Sequence, residues 1–127
     1  MINTFNFKSI QIYDNSKSKP LEDVSEIKSY LTGTSKTLDF AFQDGTRRNF
    51  PYSFYQNAEL LEESGKKFIK VRFLGHSISI KGYGLEGLYD ELIQANLSKV
   101  YENDERYYQQ NEHRTFITEI NISEISD

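Results

Sequence analysis

Two stretches of the chain alternate apolar and polar residues, and a third repeats its apolar residues every three or four positions. The first alternation is Leu38-Asp39-Phe40-Ala41-Phe42, followed by Asp44-Gly45. A two-residue turn at Asp44-Gly45 would throw Phe50 and Tyr52 onto the face opposite Leu38, Phe40 and Phe42. A three-residue loop, Gln43 to Gly45, puts all five on one face, so burial selects that register with Gly45 left-handed. Pro51 marks an edge or the end of a strand, because it has no N–H to give a ladder.

The second alternation runs from Phe68 to Gly82. Leu74-Gly75-His76-Ser77 reads as a hairpin turn with Gly75 first, which pairs Phe73 with Ile78 and Val71 with Ile80. Ile69, Val71, Phe73, Ile78 and Ile80 then share one apolar face. In the helical stretch, Leu85, Leu88, Tyr89, Leu92 and Ile93 fall at i, i+3, i+4, i+7 and i+8, predicting a helix over 85–96 that covers that face. Glu86, Asp90, Glu91 and Gln94 point to water.

The rest is less regular. Phe5 to Tyr13 reads as a strand whose apolar residues change parity, so a break is expected near Lys8-Ser9. Pro20 at a first helical position, with Val24, Ile27 and Leu31 on one side, gives a second helix over 20–31 against a strand alternative. Ala58 to Ser64 reads as a short helix stopped by Gly65. Val100 to Glu102 and Thr115 to Ile122 read as strands, the latter with Phe116, Ile120 and Ile122 on one face, and residues 123–127 as a frayed tail. The expected fold is one α+β domain: an antiparallel sheet of five or six strands with the 85–96 helix on one face.

Composition narrows the chemistry. The 127 residues include nine Phe and nine Tyr but no Cys, which removes disulfides, thiolate metal sites and cysteine nucleophiles. Asn, Lys, Ile, Ser and Tyr are plentiful, a palette that suits an AT-rich prokaryotic or phage genome. The net charge is −4, which disfavours nucleic acid as a general partner. No apolar run approaches the roughly 20 residues of a membrane helix, and the first residues lack the basic and apolar regions of a leader; a cytoplasmic setting is expected. Two His cannot assemble a persuasive triad or metal set: His76 falls in a turn and His113 in an acidic loop. Arg48 shares the aromatic face, so its stem packs there while its head reaches water. No cofactor, metal or catalytic residue is expected.

One motif carries candidate chemistry. Gly82-Tyr83-Gly84-Leu85-Glu86-Gly87 is a G-x-G-x-x-G between a strand and a helix, with Glu102 twenty positions after Gly82. Over 78–104 this resembles the dinucleotide-binding fingerprint of Rossmann proteins, which would imply a pyrophosphate on the glycines and Glu102 on a ribose hydroxyl. The context opposes it. The strand is one arm of a tight antiparallel hairpin, and 25 of the 127 residues remain after Glu102, too few for a doubly wound sheet.

A smaller anion site is compatible with any fold: Lys70, Arg72, Ser79 and Lys81 on the non-core sheet face, beside Gly82, Tyr83 and Gly84 at a helix N-terminus. In the predicted register Lys70 lies opposite Lys81, a pairing that invites a negative ligand. The alternative is a solvated sheet face with Asp39 or Glu119 as counter-charge. Tyr52, Tyr55, Tyr107 and Tyr108 are candidates for an interaction surface, since tyrosine is large, rigid and amphipathic. The expected function is a non-catalytic protein that binds a protein partner or self-associates through this surface or a sheet edge. Binding of a phosphorylated small molecule or nucleotide is the alternative.

Overall fold

The computed structural model describes residues 28–111 and 114–126. The predicted strand at 5–13, most of the predicted 20–31 helix and His113 lie outside the described residues. The elements are β1 (Tyr30–Thr32), β2 (Thr37–Ala41), β3 (Arg47–Pro51), β4 (Tyr55–Glu63), β5 (Lys66–Phe73), β6 (His76–Tyr83), α1 (Glu86–Ile93), β7 (Leu97–Tyr101) and β8 (Phe116–Glu124). Single-stretch 3₁₀ segments cover Tyr52–Phe54 and Glu105–Asn111.

The fold is α+β, but its strands form two sheets where one of five or six was expected. One sheet has the order β1-β7-β2-β3 and the other β4-β5-β6-β8, each four-stranded. The second is antiparallel throughout, whereas β2 and β7 in the first run parallel. The two sheets share one core. Phe50 of β3 stacks on Phe73 of β5 at 5.1 Å, and Phe40 meets Phe50 edge-on at 5.9 Å. Leu38, Phe40, Ile69, Val71, Phe73, Ile78, Ile80, Leu88 and Val100 all lose their water in the same cluster.

The first hairpin has the register that burial demands. Leu38 faces Phe50, Phe40 faces Arg48, and a three-residue loop closes with the Phe42 amide on the Thr46 carbonyl. Pro51 ends β3, which is an edge strand.

The second hairpin is slipped by two residues from the predicted pairing. Phe73 faces His76, Val71 faces Ile78 and Ile69 faces Ile80, so the turn is Leu74-Gly75 with Gly75 second at φ 82°. One glycine satisfies either turn geometry, since type II needs φ > 0 at the second position and type II′ at the first. A two-residue slip leaves every side chain on its own face, so apolar patterning cannot detect it. The observed register brings His76 into the strand, its ring edge-on to Phe50 at 5.1 Å. It also places Lys70 opposite Ser79 and Lys81 opposite Phe68, in place of the predicted Lys70–Lys81 pair.

Three further expectations change. Residues 58–63 are strand β4, not helix. Ser64 (φ 54°) and Gly65 (φ 78°) both take left-handed φ, as a tight two-residue turn between β4 and β5 demands. The described end of the 20–31 helix is likewise strand, in β1. Helix α1 ends at Ile93 rather than Asn96, because Ala95 turns left-handed at φ 56° and the Asn96 amide reaches back to the Glu91 carbonyl. That early exit leaves Ile93 half exposed, while Leu85, Leu88 and Leu92 are buried as expected.

In β8 a bulge separates the Lys81–Glu119 pair from the Gly82–Ile117 pair, leaving Thr118 unmatched. The bulge shifts parity, so Ile117 joins Ile120 in the main core. Phe116, expected beside Ile120, is buried outside that cluster against Tyr108 at 5.8 Å. The strand continues to Glu124, and the Ile125 amide donates to the Gly75 carbonyl, where the sequence suggests a frayed tail.

Candidate functional site

Lys70, Arg72, Ser79 and Lys81 are brought onto one face of the β4-β5-β6-β8 sheet. Their neighbours are matched in charge. Glu59 of β4 is in register with Lys70, Glu63 with Lys66, and Glu119 of β8 with Lys81. The Gly-rich turn is occupied by protein. A Cβ on Gly82 would lie 2.1 Å from the Phe116 carbonyl oxygen, and one on Gly84 would lie 3.0 Å from that of Arg114. These glycines admit the backbone around the β8 bulge. Thr115 donates its hydroxyl to the Gly84 carbonyl at 2.6 Å, and Gly87 packs α1 beside the Tyr30 hydroxyl. The first turn of α1 carries its own acid, Glu86, bonded to Lys67 at 2.7 Å. Each of that pair shifts the other: Glu86 titrates below and Lys67 above its ordinary range, mainly through their shared hydrogen bond.

The tyrosines are placed inside the fold's joints. Tyr52 donates to the Leu97 carbonyl, and burial pushes its hydroxyl up to about 12. Tyr55 sits edge-on to Phe73 at 6.0 Å, its pKa also raised by burial. Tyr108 stacks on Tyr83 at 3.8 Å and so roofs Phe116. Tyr83 donates to Glu105 at 2.6 Å, which raises its pKa. Tyr107 is half-buried, with the Arg106 guanidinium 5.3 Å from its ring.

Sheet edges are the features that sequence reading named without locating. Three of the four are blunted. β1 is three residues long, and β3 ends in Pro51. Along β8, the Glu102 carboxylate accepts the Ile120 amide at 2.9 Å and the Asn103 amide donates to the Ile117 carbonyl at 2.9 Å. β4 differs. It is nine residues long, contains no Pro or Lys, and carries the acids Glu59, Glu62 and Glu63. Among the described residues, its outer backbone meets one group, the Tyr89 hydroxyl, 3.3 Å from the Ala58 carbonyl. Helix α1, which packs beside it, adds Glu86, Asp90 and Glu91 and no base. The Ser64-Gly65 turn was the available sequence signal for this strand, because Ser-Gly between two alternating runs marks a hairpin.

A cleft of about 460 Å³ opens between the sheets on the opposite side, floored by Phe42, Ile120 and Ile122. Its rim holds Asp44, Arg47, Arg48 and Glu102. Among the described residues no group of three or more His, Asp or Glu is placed to hold a metal ion, and no helix is long and apolar enough to cross a membrane. Compared with known proteins, the chain matches no family model, no curated protein and no solved structure.

Proposed function

We propose that the protein is a non-catalytic interaction module that receives an extended, basic segment of a partner protein along β4. The observation that supports this reading is the contrast among the edges: β4 is long and regular beyond its bulge near Gln56, while β1, β3 and β8 are short, proline-ended or already bonded. An open edge offers a row of backbone donors and acceptors, and a partner strand gains affinity from them.

The charge of the partner follows from the sheet face. β5 contributes Lys66, Lys70 and Arg72, and β4 answers with Glu63 and Glu59. A strand added beyond β4 continues that alternation if it is basic. Helix α1, packed beside β4, adds further acids near this edge, and the chain's net charge of −4 opposes a second copy in that position.

The test uses a short fluorescein-labelled peptide of alternating Lys and Val, followed by anisotropy and by hydrogen exchange on the full chain. Binding should weaken with salt, slow exchange in β4 above other strands, and fall by about two- to fivefold for each of Glu59→Lys and Glu63→Lys. Equal binding of the same peptide with alternating D-residues, unchanged β4 exchange, or a chain that dimerises through β4 would each overturn the reading.

A further inference from the structure

The inter-sheet cleft supports a second inference, independent of β4. Its rim charges are spoken for, with one exception. Arg47 is paired with Asp39 at 2.9 Å. Asp44 accepts the Thr46 hydroxyl at 2.6 Å and the Thr46 amide at 2.9 Å, which holds its carboxyl below the usual range. Glu102 gives one oxygen to the Gln43 amide at 3.0 Å and the other to the Ile120 amide at 2.9 Å. Asn121 is turned onto Glu119 at 2.7 Å.

Arg48 has no carboxylate partner among the described residues. Its guanidinium lies 5.5 Å from the centre of the Phe50 ring, and one nitrogen is 3.5 Å from His76 Nε2. His76 leans on the same Phe50 ring. The β2–β3 register puts Arg48 on the core side of its strand, two positions from Phe50, and β6–β8 pairing sets His76 two positions from Ile78, which faces Ile122. Glu124 is the cross-strand neighbour of His76 and makes no ion pair with Arg48. Among the described residues, the cleft rim therefore holds one guanidinium without a carboxylate, stacked on Phe50 and next to the His76 imidazole. The same rim, at the Gln43–Thr46 loop and at Glu102, carries the two carboxylates that are already hydrogen-bonded, Asp44 and Glu102.

We propose that this cleft binds a small molecule with a single anionic head and an apolar body. The head, a carboxylate or phosphate monoester, takes the donor fork of Arg48, which matches planar and phosphate oxygens in two parallel bonds. The body lies on Phe42, Ile120 and Ile122. A second anionic group is disfavoured by Asp44 and Glu102 elsewhere on the rim. The cleft volume is within the range of small-ligand sites, roughly 300–1,000 Å³.

Two anionic probes, phenylacetate and benzyl phosphate, separate the two heads; inorganic phosphate and benzyl alcohol supply each half alone. Binding is read by amide chemical shifts and by a rise in Tm. At least one anionic probe should bind with shifts confined to residues around Phe42, Arg48 and Ile122, and more tightly than either half. Arg48→Gln should weaken it by about tenfold or more, and Arg48→Lys by less, because charge survives but the fork does not. Failure of both anionic probes, shifts elsewhere, benzyl alcohol binding as tightly, or an Arg48→Gln chain that is folded by its amide spectrum and binds unchanged would overturn the assignment.

Discussion

Glu102, at the end of β7, accepts the Ile120 amide of β8 at 2.9 Å, so a side chain from one sheet closes the edge of the other. Its second oxygen takes the Gln43 amide from the loop after β2 at 3.0 Å. The residue that a dinucleotide fingerprint would place on a ribose is thus used inside the protein, where it ties the sheets together.

Removing that tie should cost stability. Glu102→Ala leaves two amides without their acceptor, and hydrogen bonds to a charged group are worth about 1.5–3 kcal/mol each where buried, less at a half-exposed site such as this. We expect a loss of about 1–3 kcal/mol in urea unfolding with an unchanged slope. Glu102→Gln keeps one oxygen and should fall between wild type and Ala.

The glycines of the 82–87 segment should separate by their surroundings. A Cβ on Gly82 meets backbone that has no room to yield, 2.1 Å from the Phe116 oxygen. Gly82→Ala should therefore destabilise by about 1–3 kcal/mol or fail to fold, as overpacking does. Gly87 lies in α1, and its nearest neighbour to an added Cβ is the Tyr30 hydroxyl at 3.5 Å, an ordinary contact. Gly87→Ala should be neutral or stabilising by up to about 1 kcal/mol through helix propensity. Thermal melts of the two variants distinguish packing from any phosphate-cradling role.

Tyr52 predicts an alkaline dependence. Its hydroxyl is pushed from 10.0 to about 12 by burial, so the folded chain holds a proton that the unfolded chain releases first. The corresponding stability is complete below about pH 10 and is lost as pH rises toward 12. Tyr52→Phe should lose about 0.5–1.5 kcal/mol at neutral pH with the Leu97 bond. Its denaturation midpoint should also fall less than wild type's above pH 10. Equal slopes for the two chains would show that Tyr52 is not the group responsible.

Two phenylalanines four positions apart should behave oppositely. Phe50 is 5% exposed and joins the sheets through Phe73, so Phe50→Ala should cost about 3–5 kcal/mol. Phe54 is 47% exposed, and Phe54→Ser should move stability by less than about 0.5 kcal/mol. Chemical denaturation of both variants measures the contrast.

Local chemistry was enough to place what depends on local chemistry. The Leu38–Phe42 hairpin was legible because only one loop length buries Phe50 with Phe40. The faces of Ile69, Val71, Phe73, Ile78 and Ile80 were legible because a strand's period is two, and Leu88 and Leu92 because a helix's is near four. The placing of Arg48 on the face of Phe40 and Phe50 also followed from the alternation.

What pairs with what across long stretches of chain was decided by the tertiary structure. The β5–β6 register could slide by two residues without moving any side chain to the other face, so it was left to packing against Phe50 and β8. Thr118's bulge, which sends Ile117 into the core and Phe116 out of it, answers the close approach of β8 to Gly82. The division into two sheets, the β4 edge left without a neighbouring strand among the described residues, and the meeting of Arg48 with Phe50 and His76 all arise from contacts between residues distant in sequence. Alternation fixes which side of its own strand a residue takes, and carries no information on which other strand will lie beside it.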